Sequence, residues 1–141
     1  MLKKIPTCLS PELVKAMMEM GHGDRILIAD GNYPAKSNNP NVVRADGHQI
    51  IPLLEAILEL LPLDSDVDYA VTLMDNNSEV EPPVWNEYRR VVKEVGEDER
   101  EFKKVERFDF YDLASSAALV LQTGDLTLYG NIMLQKGTIS K

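Results

Sequence analysis

The alternation of short apolar strands with helical segments is the feature that most limits how this chain can fold. Strands that alternate with helices pack as a parallel or mixed sheet covered by helices. The pattern therefore predicts an α/β fold. The six predicted strands cover Arg25–Ala29, Val42–Ala45, Tyr69–Met74, Lys104–Arg107, Ala117–Gln122 and Ile132–Gln135.

Helix boundaries are marked by capping residues and glycines. Ser10 is a good N-cap for a helix that starts at Pro11, and Gly21 is placed to end it. A second helix is predicted over Ile50–Leu61, a third from Pro83 to Gly96, and a fourth over Phe110–Ser116, whereas Asp30–Asn41 reads as a loop. The second helix is apolar over much of its circumference, so we expect part of it to pack against a second subunit.

Size and charge limit the function classes. The 141 residues are expected to form one domain, 1–141, and their net charge is −8. An acidic chain without a basic stripe is a poor binder of nucleic acid or of an anionic membrane. Cys8 is the single cysteine, and no apolar run is long enough for a signal peptide or a membrane span. We therefore expect a soluble cytoplasmic protein.

Several familiar cofactor and metal motifs are missing or broken. The glycines around His22 precede a strand, whereas a dinucleotide loop follows one, and no Gly-Lys-Ser/Thr sequence is present. Asp75, Asn77 and Glu79 imitate a calcium loop, but Val80 stands where glycine is required. We expect no metal and no cofactor.

Two polar residues flank the first predicted strand. His22 lies between two glycines, which let a ligand approach closely, and imidazole titrates near neutral pH. The alternative is a surface histidine in a turn. Asp30 ends the strand, and ligands bind at the carboxyl ends of strands in open α/β sheets. The alternative is a turn aspartate that caps its own backbone.

Two aromatic clusters supply further candidates. Phe108 and Phe110 are expected in the core, whereas Arg107 and Tyr111 could bind a hydroxyl or form a ring platform. The sequence Tyr129-Gly130-Asn131 suits hydroxyl binding, and equally an ordinary strand entry. His, Asp, Arg, Tyr and Asn side chains without a phosphate loop suit a neutral ligand with many hydroxyls.

Seven short motifs, spread from end to end of the chain, together match one known family. They are Leu9–Leu13, Met20–Asp24, Asp30 with Tyr33-Pro34-Ala35, Val43–Gly47, Arg107-Phe108-x-Phe110-Tyr111, Tyr129–Ile132 and Lys136-Gly137. In these motifs the chain resembles the RbsD/FucU family of sugar pyranases and mutarotases, and within it the L-fucose branch. The resemblance implies a three-layer α/β subunit with a mixed, mostly parallel sheet. It also implies a ring of ten subunits with sites completed at subunit boundaries.

Site roles follow from the same resemblance. It implies His22 as the catalytic acid/base and Asp30, Arg107, Tyr129 and Asn131 as sugar-binding residues, with Tyr111, Tyr33 and Asn32 as further candidates. Fucose-type relatives often carry histidine where this chain has Asn32, which cannot transfer protons. The implied reaction is L-fucose mutarotation through ring opening. The alternatives are a D-ribose pyranase, or a sugar-binding or regulatory oligomer without catalysis.

Overall fold

A six-stranded sheet forms the centre of the computed structural model, which describes residues 1–141. The strands are β1 (Arg25–Ala29), β2 (Val42–Ala45), β3 (Val71–Met74), β4 (Lys103–Val105), β5 (Leu119–Thr123) and β6 (Ile132–Gln135). Their order across the sheet is β2-β5-β1-β6-β3-β4. Each strand therefore lies close to its predicted position, and the predicted α/β class is confirmed.

Strand direction gives the two ends of the sheet different chemistry. The pairs β1–β5, β2–β5 and β3–β4 are parallel, whereas β6 runs antiparallel between β1 and β3. Strands β1 to β5 thus all point the same way. We call the end where these five strands finish and β6 begins the carboxyl end of the sheet, and the opposite end the amino end.

Helices cover both faces of the sheet, which gives the expected three layers. Helices α1 (Pro11–Glu19), α3 (Ile50–Leu58) and α4 (Val84–Glu94) share one apolar cluster with the sheet. Helices α2 (Ala35–Asn38) and α5 (Arg107–Ser115) belong to a second cluster on the other face. None of the five is long and apolar enough to cross a membrane.

Strand β1 shows why a central strand of this sheet is a continuous apolar run. Ile26 and Ile28 pack into the first cluster, whereas Leu27 and Ala29 pack into the second. All four side chains are fully buried. A strand covered on both faces needs apolar residues at every position, so the period-two pattern of a half-exposed strand is lost.

Two regions differ from the sequence-based expectation. The predicted loop Asp30–Asn41 contains the short helix α2. Helix α5 begins at Arg107, because the Glu106 carboxylate accepts hydrogen bonds from the backbone N–H groups of Phe108 and Asp109 and so caps the helix there. Phe108 consequently lies on the exposed first turn, so its expected place in the core is wrong, whereas Phe110 is fully buried as expected.

The apolar helix α3 is covered within its own subunit. Leu53, Leu54 and Ile57 are fully buried against α4 and the sheet. Its exposed residues include Pro52 and Glu59. Most of its apolar side chains therefore need no second subunit for burial, and the expectation that part of this helix packs against one stays a prediction.

Candidate functional site

Asp30 and Asn131 form the centre of a polar cluster at the carboxyl end of the sheet. Asp30 follows β1 and Asn131 precedes β6, and these two strands are neighbours. Asn131 Oδ1 accepts the backbone N–H of Asp30 at 2.8 Å, and Asn131 Nδ2 donates to Asp30 Oδ2 at 3.2 Å. Both side chains are buried. Two residues 101 positions apart are thus held in one fixed arrangement.

The backbone beneath this pair is held by buried side chains of β5. Gln122 Nε2 donates to the carbonyl oxygen of Asp30 at 2.6 Å. The Thr123 hydroxyl donates to the carbonyl oxygen of Ala29 at 2.7 Å. These bonds satisfy buried backbone groups where the β1 ladder ends, so Asp30 sits on a rigid base.

The environment of Asp30 favours its neutral form more than water would. Burial raises the pKa of this carboxyl, and this effect outweighs the hydrogen bonds from the Asn32 backbone N–H and the Asn131 amide, which lower it. The nearby Asp125 carboxylate adds to the rise. Asp30 is therefore a buried hydrogen-bonding group that holds a proton more readily than an exposed aspartate does.

An aromatic wall stands beside Asp30. The rings of Tyr33 and Tyr111 meet edge to face at 5.4 Å, and Phe110 lies behind Tyr33 at 6.4 Å. Burial raises the pKa of Tyr33 to about 12, and its hydroxyl accepts a hydrogen bond from Asn38 Nδ2 at 2.8 Å. Tyr33 is therefore a neutral wall residue. The side chain of Asn32 is exposed, and its backbone N–H donates to Asp30 Oδ1 at 2.9 Å.

Arg107 lies on the first turn of α5, next to the same wall. Its Nε donates to the Tyr111 hydroxyl at 3.1 Å, and the guanidinium carbon lies 5.4 Å from the centre of the Tyr111 ring. The Tyr111 hydrogen bond raises the pKa of Arg107, and Tyr129 is close enough to contribute. Arg107 is exposed, so its remaining N–H donors are open to a ligand.

Tyr129 is held in a left-handed backbone conformation, with φ of 55°. Its carbonyl accepts Trp85 Nε1–H at 3.0 Å, and the next carbonyl, of Gly130, accepts the Tyr88 hydroxyl at 2.8 Å. A Cβ on Gly130 would lie 3.3 Å from that hydroxyl. The two buried aromatics of α4 thus fix the backbone of this turn, while the Tyr129 side chain stays partly exposed.

A cavity of about 930 Å³ adjoins Tyr129 on the α3–α4 side of the sheet. Its other lining residues include Gln49, Pro82 and Leu128, but not Asp30 or Arg107. The cavity therefore lies next to the polar cluster without enclosing it.

His22 lies at the opposite end of the sheet from these residues. It is three positions before β1, and the backbone N–H of its neighbour Gly23 donates to the carbonyl oxygen of Lys136, just after the end of β6. A five-residue strand is about 16 Å long, so His22 and Asp30 of one subunit are far apart. The structure thus brings together Asp30, Asn131, Tyr33, Tyr111, Arg107 and Tyr129, but not His22.

Two carboxylates accompany His22. Its Nε2 lies 3.1 Å from Asp64 Oδ1 and 3.6 Å from Asp66 Oδ2. Asp64 is buried, and the Asp66 backbone N–H together with His22 holds the pKa of its carboxyl below the usual range. One imidazole nitrogen and two carboxylate oxygens lie within 4.8 Å of one another, so these three side chains are the group that could hold a divalent cation.

Sequence reasoning did not single out Asp64, although it is the buried partner of the histidine. The two residues are 42 positions apart, and Asp64 follows α3 in an ordinary Leu-Pro-Leu-Asp loop. The contact forms because Asp64 packs beside the end of β6, where Gln135 Nε2 donates to its Oδ2 at 3.0 Å. No local signal marks such a long-range pair.

Known proteins similar to this chain match it almost from end to end. Residues 3–139 match the RbsD / FucU transport protein family. The human fucose mutarotase is 44% identical over 99% of this chain and 95% of its own length. The L-fucose mutarotase of Actinobacillus pleuropneumoniae serotype 5b is 40% identical over 97% of this chain and 96% of its own.

Solved structures agree with the sequence matches. The fucose mutarotase of Streptococcus pneumoniae in complex with L-fucose is 42% identical, with a TM-score of 0.93, over 99% of this chain and 100% of that one. Bacillus subtilis RbsD complexed with D-ribose shares the fold, with a TM-score of 0.75 at 22% identity over 99% of this chain and 100% of that one. The fold, the family match and these relatives together show that this chain belongs to the RbsD/FucU family.

Proposed function

We propose that this protein is an L-fucose mutarotase, an isomerase that interconverts the α and β anomers of L-fucose. The observation that carries the proposal is the end-to-end likeness to the S. pneumoniae fucose mutarotase bound to L-fucose, at 42% identity and a TM-score of 0.93. The polar cluster at the carboxyl end of the sheet supports it, since its amide, carboxyl, guanidinium and phenol groups suit a neutral sugar.

The reaction needs only proton transfers. A base removes the proton of the anomeric hydroxyl while an acid protonates the ring oxygen, and the bond between C1 and the ring oxygen breaks to give the open-chain aldehyde. Rotation about C1–C2 and closure by the reverse transfers give the other anomer. Each placed transfer group contributes about 10²- to 10⁴-fold, so two of them suffice for a reaction that already proceeds in water. These steps as written need neither a metal nor a cofactor.

We assign His22 as one proton-transfer group. Asp30, Tyr129 or a group from a neighbouring subunit would serve as the second. Tyr111 is a further candidate, because its oxygen accepts from Arg107 Nε and its own proton stays available for donation. Asn32 is exposed, and its amide cannot transfer protons. We therefore assign its side chain to contact with the sugar or with solvent.

Sugar binding is assigned to the carboxyl end of the sheet. Asp30 and Asn131 would bind ring hydroxyls from a buried, rigid base, and Arg107 would add a charge-assisted donor. The rings of Tyr33 and Tyr111 would form the wall against which the apolar face and the methyl group of the sugar pack. A site of this kind discriminates strongly against sugars whose hydroxyls are missing or misplaced.

The same proposal makes the site a shared one. In each subunit His22 lies at the amino end of the sheet, whereas the sugar would bind at the carboxyl end. The His22 that reaches the sugar would therefore come from a neighbouring subunit, whose amino end meets this carboxyl end. Such head-to-tail contacts close into rings when the rotation permits. We propose a homodecamer with sites at subunit boundaries.

Exposed side chains at both ends of the sheet support this contact. At the carboxyl end, Leu126 and Leu128, which lie just before Tyr129, are each 72% exposed. At the amino end, Met18 is 81% exposed and borders an apolar hollow that Met20 and Lys136 also line. The exposed Asp66 beside His22 and the exposed Arg107 offer opposite charges across the boundary.

A cytoplasmic location completes the proposal. The free Cys8 fits a reducing compartment, where free monosaccharide is metabolised. The net charge of −8 does not favour nucleic acid or an anionic membrane as a partner.

Magnetisation exchange between the anomers of L-fucose, with and without protein, tests the activity. We expect the protein to accelerate exchange of L-fucose and of D-arabinopyranose, which has the same ring stereochemistry, and to act poorly on D-ribose. Faster exchange of D-ribose would favour the pyranase alternative, and sugar binding without acceleration would favour a sugar-binding oligomer. Sedimentation as a stable 15.8 kDa species would contradict the decamer.

A further inference from the structure

The loop that carries Asp64 is held from two sides. On one side, the Asp64 backbone N–H donates to the Gln135 carbonyl at 3.0 Å, and Gly137 N–H donates to the Pro62 carbonyl at 2.8 Å. The approach is close, since a Cβ on Gly137 would lie 2.6 Å from the Leu63 carbonyl oxygen. The end of β6 thus fixes one face of the loop and leaves the other to a different element.

Arg100 holds that other face. It lies in the segment between α4 and β4, and its NH2 donates to the Asp64 carbonyl at 2.6 Å. Its NH1 donates to the Val67 carbonyl at 2.5 Å. The guanidinium therefore spans the loop that contains both Asp64 and Asp66, which are the two carboxylates beside His22.

Asp98 fixes the direction of this guanidinium. Its carboxylate accepts from Arg100 Nε at 3.1 Å and from the Arg100 backbone N–H at 2.9 Å, and its side chain is only 9% exposed. An arginine locked in this way presents its planar fork in one orientation, which a lysine ammonium cannot reproduce.

We propose that Arg100 is a positioning residue for the proton transfer at His22, acting through the Asp64 loop. This rests on the proposed function, in which His22 is a transfer group. The Asp64 carboxylate would hold the imidazole by its Nε2, and Arg100 would keep that carboxylate in place. A displacement of about 1 Å at a reacting group can cost 10²-fold in rate, so a support of this kind acts on turnover.

The test compares Arg100→Met and Arg100→Lys with Arg90→Met. Arg90 is a matched control, because it is a half-exposed arginine on α4 whose partners are Glu94 and Glu55. We expect Arg100→Met to lower kcat for L-fucose anomer exchange by about 5- to 50-fold, with KM within about two-fold of the wild type. Arg100→Lys should recover part of the loss, and Arg90→Met should match the wild type.

The ring signals of His22 in a ¹H–¹³C NMR spectrum provide a readout independent of activity. We expect them to shift in Arg100→Met and, to a smaller extent, in Arg100→Lys, while those of His48 stay in place. If Arg100→Met does not fold, the lysine variant carries the test. Unchanged kcat and unchanged His22 signals in the folded variants would overturn the proposal. A wild type without anomer exchange would instead refute the proposed function, and the NMR comparison would still decide on Arg100.

Discussion

At the scale of single residues, the two histidines have very different surroundings. His22 meets Asp64 and Asp66, whereas His48 is an exposed residue in a turn after β2. A carboxylate that hydrogen-bonds one ring nitrogen fixes the orientation of the imidazole. These contacts distinguish His22 from His48, and they suit the proton-transfer role proposed for His22.

We expect His22→Ala to lower the rate of L-fucose anomer exchange by about 10²- to 10⁴-fold, because a placed transfer group is lost. Sugar affinity should change little, since His22 handles protons and adds small contact area. Magnetisation exchange measures the first quantity and calorimetric titration with L-fucose the second. His48→Ala is the matched control. An alanine variant at position 22 that keeps most of its activity would remove this residue from the mechanism.

Arg107 allows a second test at the same scale. Arg107→Ala should lower kcat/KM for L-fucose by about 10- to 100-fold, because a charge-assisted hydrogen bond to a ring hydroxyl is lost. Arg107→Lys should recover only part, since the fork geometry is lost. Arg90→Ala serves as the control for removing an arginine from a helix. Wild-type kinetics in Arg107→Ala would reduce Arg107 to a structural partner of Tyr111.

Part of this cluster is predictable from the sequence, and part is not. Asp30 and Asn131 stand at the end and the start of two clear strands, and the carboxyl ends of strands in α/β sheets are where ligands bind. Their direct contact depends on β6 pairing antiparallel with β1, which local sequence does not specify. The Asp64–His22 pair depends on tertiary packing alone, so it emerges only from the structure.

At the scale of elements, the N-terminus of helix α3 is capped by Asp125, a residue distant in sequence. Helix α3 has no capping side chain at Gln49, and the Ile50 N–H donates instead to Asp125 Oδ2 at 2.9 Å. Asp125 Oδ1 accepts the Thr127 N–H at 2.9 Å, so the same residue shapes the turn before Tyr129. Burial alone would raise the pKa of Asp125, but these hydrogen bonds outweigh it and hold the pKa below its usual range.

We expect Asp125→Ala to lower the free energy of unfolding by about 1–2 kcal/mol, since the α3 N-terminus loses its acceptor. Asp125→Asn should lose less, because its amide oxygen replaces one of the two acceptors. Urea denaturation measures both. Because the folded-state pKa is depressed, the stabilisation from the charge is present above the ordinary aspartate pKa and is lost as pH falls through the folded value. The difference between wild type and Asp125→Asn should therefore shrink in acid, and a constant difference would contradict this assignment.

Element boundaries show where sequence patterns are weaker guides. Strands β1, β2 and β6 match their predicted ranges. The signal is clear for β1 and β6, which are largely buried apolar runs, whereas β2 is a partly exposed edge strand. The start of α5 does not match its prediction, because Glu106 caps the helix with a side chain that ranks low as an N-cap. That shift moves Arg107 from a strand to an exposed helical turn, which is the position that opens its guanidinium to a ligand.

At the scale of the whole molecule, the separation of His22 from Asp30 yields a test by subunit mixing. His22→Ala and Asp30→Asn should each be inactive alone. In a 1:1 mixture refolded together, random assembly leaves about a quarter of the boundaries with both residues intact, so about a quarter of the wild-type activity should return. Each variant refolded with itself is the control. No recovery in mixed oligomers of confirmed size would show that the site does not span two subunits.

Strand β6 has a consequence for such an assembly. Asn131 lies at its start and Gln135, which holds Asp64, at its end. In the proposed ring, this stretch of about 13 Å would join the sugar-binding half of one site to the proton-transfer half of the next. An open row of subunits would leave half of a site without its complement at each end of the row. A closed ring would have as many complete sites as subunits. In the proposed assembly, ring closure would therefore set the number of complete sites per chain, and a subunit that dissociates on dilution would lose its activity.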